Sequence, residues 1–178
     1  MIIYFLRHAS AGKKKLSGSQ DERRPLDEEG ILQARYMGRM LATLDVHVEH
    51  IVSSPLTRAL QTASLVANEI ASEGAVARED ALRPESQFGD FQSLVSRYRK
   101  SEAILVIGHN PSLSEFLSRT VSQNSGAAAA RIEFKKGAVA KVELEGRNGV
   151  LHWLVTPKIA RALQATLKLS SRPKTSRK

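Results

Sequence analysis

The 178 residues are 42% hydrophobic and 25% charged, enough for one domain with a sizeable core and too few for two ample ones. No apolar run approaches the ~20 residues of a membrane-spanning helix, and the lack of cysteine excludes disulfides and thiolate metal sites. The net charge of +9 is unevenly spread: 19 basic and 18 acidic residues nearly cancel up to Glu145, and the eight cations beyond it meet no acid, so a nucleic acid is not the expected main partner of the near-neutral body.

Residues 1–169 are read as a single domain and residues 170–178, Ser-Ser-Arg-Pro-Lys-Thr-Ser-Arg-Lys, as a disordered basic tail with nothing apolar to bury. Contact of that tail with nucleic acid or an acidic partner stays open as a secondary role. The N-terminus has neither a positive n-region nor a small-residue cleavage site, so a cytoplasmic location is expected.

Residues 2–6, Ile-Ile-Tyr-Phe-Leu, form an unbroken apolar run that suits a strand buried on both faces, and Arg7 and His8 follow at its C-terminal end. Open α/β sheets bind ligands at such strand ends. Residues 11–24 are rich in Gly, Lys and Ser and read as a loop. Its lysines, Lys13, Lys14 and Lys15, suit either attraction of an anionic substrate or a plain solvated charge run. Over residues 30–44, Ile31, Met37, Leu41 and Leu44 fall near helical spacing, and Asp27, Glu28 and Glu29 stand where the helix dipole favours acids.

A short apolar strand over 50–53 leads into Ser-Ser-Pro-Leu-Thr-Arg-Ala-Leu-Gln-Thr-Ala, residues 53–63. Ser54 is the predicted N-cap with Pro55 at the first helical position, which puts Arg58 near exposed helix amides suited to phosphate. A short strand is expected around 75–78, a helix in the later part of 86–100 with Phe91, Leu94, Val95 and Tyr98 on one side, and a buried strand over 103–107. That strand ends in Gly108, His109, Asn110 and Pro111, and a helix with Leu113, Phe116, Leu117 and Val121 follows. Strand, polar ligand group and helix thus occur twice. Residues 123–130 read as a surface loop, 138–144 and 150–155 as a hairpin, and Ile159, Leu163 and Leu167 as the stripe of a last helix. His47, His50 and His152 are read as structural or surface histidines.

The segments Leu-Arg-His-Ala, Arg-Pro-Leu, Ser-Ser-Pro-Leu-Thr-Arg-Ala, Gly-His-Asn-Pro and Trp-Leu-Val-Thr-Pro-Lys resemble, in this order, the histidine phosphatase superfamily (phosphoglycerate mutase-like) and within it the SixA-type phosphohistidine phosphatases. Ala9 departs from the Arg-His-Gly signature but leaves both chemical groups in place. The resemblance implies a three-layer α/β/α sandwich with a mostly parallel central sheet, and a phosphatase that needs no metal or other cofactor. It also implies a site of His8, Arg7, Arg58 and His109. Here His8 is the nucleophile, while Arg7, Arg58 and His109 bind the phosphoryl oxygens.

Larger relatives carry a Glu or Asp on an inserted segment, for which this chain is too short. Glu85 and Asp90 are the candidates for a general acid, or else surface carboxylates. Without an acid an alkoxide departs badly, whereas imidazole leaves phosphorus readily. The expected substrate is therefore phosphohistidine on a protein, a histidine phosphotransfer domain of a signalling relay. A small phosphoester and a non-catalytic phospho-binding module are the alternatives.

Overall fold

The computed structural model describes residues 1–12, 18–122, 131–146 and 148–170, the side chains of 167–170 excepted. Lys13, Lys14 and Lys15, the loop expected over 123–130 and the tail from 171 lie outside the described residues. Along the chain run β1 (Ile2–Arg7), α1 (Ser19–Glu22), α2 (Glu28–Thr43), β2 (His50–Ser53), α3 (Thr57–Glu69) and β3 (Ala77–Arg78). After a 3-10 turn (Asp80–Leu82) come α4 (Phe88–Arg97), β4 (Ala103–Gly108), α5 (Ser112–Val121), β5 (Val139–Glu145), β6 (Asn148–Val155) and α6 (Pro157–Ser170).

The strands share one sheet in the order β3-β2-β4-β1-β5-β6. The first four in that order are mutually parallel, and β5 and β6 close one edge as an antiparallel hairpin. This is the expected α/β sandwich with a mostly parallel sheet.

Alternation along β1 shows why its apolar run is continuous. Ile3 and Phe5 face a layer with Ile104, Val106, Phe91 and Phe116, the last two from α4 and α5. Tyr4 and Leu6 face the opposite layer with Leu105, Met37, Leu41 and Val66, the last three from α2 and α3. Successive strand residues point to opposite faces, and both faces are covered. A fully buried residue such as Phe5 contributes roughly 1.5–3 kcal/mol of transfer free energy.

Two helices present different faces from those their apolar spacing suggested. In α2, Met37 and Leu41 are buried as the spacing predicts, but Ile31 and the C-cap Leu44 remain 38% and 52% exposed, and Gly30, Ala34, Gly38 and Met40 complete the buried face. A Cβ at Gly30 would stand 1.9 Å from the Ser10 carbonyl oxygen, and one at Gly38 would stand 2.7 Å from Glu69 Cβ. The helix therefore packs flush against the loop after β1 and against α3 through its glycines, a contact that hydrophobic spacing does not register. In α6, likewise, Ile159 and Leu163 are exposed while Ala160 is buried, and Gln164 Nε2 donates to the Tyr36 carbonyl of α2 at 2.8 Å.

The start of α3 also differs from expectation. Ser54 does not cap it: the N-cap is Leu56 and the first helical residue is Thr57. Ser54 is held at the sheet by its own N–H, which donates to the Ile107 carbonyl at 2.9 Å. Its hydroxyl is engaged by His109.

Candidate active site

Three neighbouring strand ends build the site. Arg7 pairs with Gly108 in the parallel register of β1 and β4, and the His8 N–H continues the ladder to the Gly108 carbonyl at 3.0 Å. Ser53 pairs with Ile107 on the other side of β4. The residues that follow β1, β4 and β2, namely His8, His109 and Ser54, thus stand side by side. Arg58 reaches them from the first turn of α3. The ring centroids of His8 and His109 are 4.8 Å apart.

His8 is 7% exposed, and its Nδ1 lies 2.7 Å from the Ala9 carbonyl. A carbonyl oxygen only accepts, so Nδ1 carries the ring proton and Nε2 keeps its lone pair. Burial pushes the ring down to about 3, against the Ala9 bond and assisted by the positive charges of Arg58, Arg7 and Lys136. At neutral pH His8 is consequently uncharged with a bare Nε2, the state a nucleophilic histidine requires.

His109 is buried as well, and burial, then His8 and the charges of Arg58, Arg7 and Arg24, lower it to about 2. Its Nε2 lies 2.9 Å from Ser54 Oγ. Because that oxygen accepts from the Leu56 N–H at 3.4 Å, its proton is available to Nε2. This matches the tautomer in which His109 Nδ1 bears the hydrogen.

The two arginines are anchored through their terminal nitrogens. Arg7 Nη1 donates to the Phe134 carbonyl at 2.8 Å. Arg58 Nη1 donates to the Asp21 carbonyl at 2.8 Å, and its Nη2 lies 3.4 Å from Asp21 Oδ2. Burial draws both guanidinium groups below the usual arginine value, in Arg58 against the opposing charge of Asp21. Arg7 Nε, Arg58 Nε and His109 Nδ1 are all buried without a hydrogen-bond partner among the described residues. Buried donors left unpaired are costly. Gathered around a neutral histidine, these suit the oxygens of a phosphoryl group.

The four residues assigned from the sequence are thus brought together. Of the two candidate acids, Glu85 is exposed, and the exposed Asp90 accepts from the Gln87 N–H at 3.0 Å at the start of α4. Helix capping occupies the second, and neither is among the charges that weigh on His8 or His109. Asp21 and Asp27 stand beside the site and act as acceptors, and Glu133, which shares a cavity wall with Arg7, is paired with Lys135. Asp21 holds Arg58 and, at 2.9 Å, Arg24 Nε. Asp27 caps α2 and takes the Ser10 hydroxyl at 2.8 Å and the Gly12 N–H at 2.6 Å. Partial burial would raise Asp27, but the bonds from Gly30, Ser10 and Gly12 and the charge of Lys136 outweigh it and hold the carboxyl below its ordinary range.

Sequence reasoning passed over Asp21, and it gave Ser54 a capping role and Thr62 none. Thr62 Oγ1 takes the Ala9 N–H at 3.1 Å and so fixes the backbone beside the nucleophile. Its place four residues after Arg58, in the same motif, was the available signal. Asp21 had no such signal, since its role depends on α1 folding back over Arg58. His152 pairs with Glu143 at 2.9 Å on the hairpin and His47 is exposed, in keeping with structural or surface readings. Among the described residues no group of three or more His, Asp or Glu is gathered as a metal site, and no helix is long and apolar enough to cross a membrane.

Comparison with known proteins agrees with this geometry. The model of the histidine phosphatase superfamily (branch 1) matches residues 3–101, more than half of the chain. Phosphohistidine phosphatase SixA of Escherichia coli (strain K12) is 27% identical over 173 residues, covering 92% of this chain and 100% of that protein. The structure of the protein histidine phosphatase SixA complexed with tungstate superposes with a TM-score of 0.78 at 24% identity, over 89% of this chain and 98% of that one. A putative alpha-ribazole-5'-P phosphatase from Escherichia coli shares the fold with a TM-score of 0.69 at 18% identity, over 88% and 97% of the respective chains. The sequence segments, the fold and these likenesses converge: this chain belongs to the histidine phosphatase superfamily, branch 1, and is a phosphatase of SixA type.

Proposed function

We propose that the protein removes phosphoryl groups from phosphohistidine on a protein, with a histidine phosphotransfer domain as the partner. The observation that carries this reading is a neutral His8 with a free Nε2 in a site whose nearby carboxylates are all committed as acceptors. In the proposed cycle Nε2 attacks phosphorus in line and the bond to the leaving group breaks on the opposite side. Arg7, Arg58 and His109 hold the equatorial oxygens, where charge accumulates in the transition state. Water then releases phosphate from the phosphohistidine enzyme. Because Asp21 and Asp27 are engaged as acceptors and the bond from Lys135 holds the Glu133 carboxyl below its ordinary range, none of the three offers a proton to an alkoxide at neutral pH, and a leaving group that departs as a neutral imidazole suits this site better.

The fold shared with the putative alpha-ribazole-5'-P phosphatase favours a second reading, hydrolysis of a small phosphoester. A non-catalytic phospho-binding module is disfavoured, since binding alone does not require an unblocked nucleophile. A substrate panel assayed in a chelator separates these readings. It compares a phosphorylated histidine phosphotransfer domain, p-nitrophenyl phosphate and several sugar phosphates. Preference for the phosphohistidine domain is expected, and a strong preference for an alkyl phosphate overturns the reading.

A further inference from the structure

Directly after His109, Asn110 carries a polar group to which the cycle above assigns no role. Its Nδ2 donates to the Phe134 carbonyl at 3.1 Å, the same oxygen that takes Arg7 Nη1. Since a carbonyl only accepts, this bond fixes which end of the amide is nitrogen. The other end, Asn110 Oδ1, is buried with no hydrogen-bond partner among the described residues, and so is Ser114 Oγ one turn into α5. Both residues line a cavity of ≈900 Å³ whose wall combines the charged side chains of Arg7, Arg131 and the paired Glu133 and Lys135 with the apolar surface of Pro111, Ile132 and Phe134. His8 is not part of that wall. The cavity therefore opens beside Arg7, whose Nε has no hydrogen-bond partner among the described residues.

We propose that this cavity seats the leaving group and that Asn110 Oδ1 accepts a hydrogen bond from the N–H of the departing imidazole. The proposal rests on the phosphoramidate reading given above. As the bond from His8 Nε2 to phosphorus forms, the substrate's P–N bond breaks and its electron pair stays on the departing ring nitrogen. The proton already on the other ring nitrogen remains there, so the ring leaves as neutral imidazole and no acid is consumed. An acceptor facing that N–H favours the protonated ring, which is the form able to leave in this way. Pro111 and Ile132 offer apolar contact to the ring faces. A site built to pair a substrate N–H discriminates strongly against an analogue that lacks it, because the buried acceptor is then left unpaired.

The test compares 1-phosphoimidazole with 1-phospho-3-methylimidazolium, in which a methyl group replaces the N–H, using the whole chain. For the wild type, the rate enhancement over the uncatalysed reaction is expected to be about ten- to hundredfold smaller for the methylated compound. Asn110→Ala is expected to bring the two enhancements to the same value, whatever its overall rate. Equal enhancements in the wild type, or a gap that persists in Asn110→Ala, overturn the proposal, and the wild-type comparison stands even if the variant does not fold. Turnover of p-nitrophenyl phosphate without any turnover of 1-phosphoimidazole overturns instead the phosphoramidate reading on which the proposal rests.

Discussion

β1 and β4 are adjacent parallel strands, each buried on both faces and each followed by a histidine, yet the two histidines are prepared for opposite tasks. After β1 the Ala9 carbonyl takes the Nδ1 proton of His8 and leaves Nε2 bare. After β4 the Ser54 hydroxyl faces His109 Nε2, and Nδ1 is left without a partner among the described residues, a donor when the Ser54 proton goes to Nε2. Residue type and topological position are the same, and in the proposed cycle a single hydrogen-bonding neighbour decides between nucleophile and donor. Burial keeps both rings uncharged, so neither role needs a proton from solvent.

Breaking the β1 side should have the largest effect. His8→Ala is expected to lower kcat for p-nitrophenyl phosphate by on the order of 10⁴ or more, and acid-quenched enzyme should no longer carry phosphate. Normal activity in that variant would remove His8 as the nucleophile. Next comes Arg58, which serves both histidines. Arg58→Ala should cost about 2.7–4 kcal/mol of barrier, a 10²- to 10³-fold fall in kcat, and a rate unchanged within twofold would sink the assignment.

The β4 side is sharpened by Ser54→Ala, for which a fall of roughly tenfold in kcat/KM is expected as His109 loses the partner of Nε2. Ser54→Thr should restore most of it. If Ala and Thr behave alike, the hydroxyl does not set the tautomer.

A last effect concerns stability rather than rate and tests both sides together through pH. Both rings are depressed in the folded state, to about 3 and about 2, while an unfolded histidine titrates near ~6.5. Below that value the unfolded chain binds protons that the folded chain refuses, so stability falls as pH drops from ~6.5 toward the folded values. The slope is up to about 1.4 kcal/mol per pH unit for each ring. Urea titrations of wild type and of His109→Ala between pH 7 and 4.5 measure it, and the variant should show the shallower dependence. Identical slopes would mean that His109 is not held neutral.

Much of this was legible in the chain itself. Two-sided burial of β1 and β4 leaves continuous apolar runs, and Arg7, His8, Arg58 and His109 each follow a strand end or open a helix, places that local pattern marks. Close packing was less legible. Ile31, Leu44, Ile159 and Leu163 fall on a helical stripe and yet face outward, because Gly30, Gly38 and Ala160 let backbones approach where a large side chain would clash.

The sequence alone determined the α/β class and, apart from α1 within the expected loop and the 3-10 turn, the order of the strands and helices along the chain, since these depend on periodicity read locally, while short motifs that resemble a family singled out the four residues that the fold brings together. Only the tertiary structure decided that Ser54 faces His109 rather than capping a helix, that Asp21 steadies Arg58, and that Asn110 lines a cavity beside Arg7. Each of these depends on a partner 37 or more residues away in the cases of Ser54 and Asp21, and on the shape of a wall in the case of Asn110. Hydrogen-bond donors and acceptors are few and directional, so their pairing is fixed by where the folded backbone brings them.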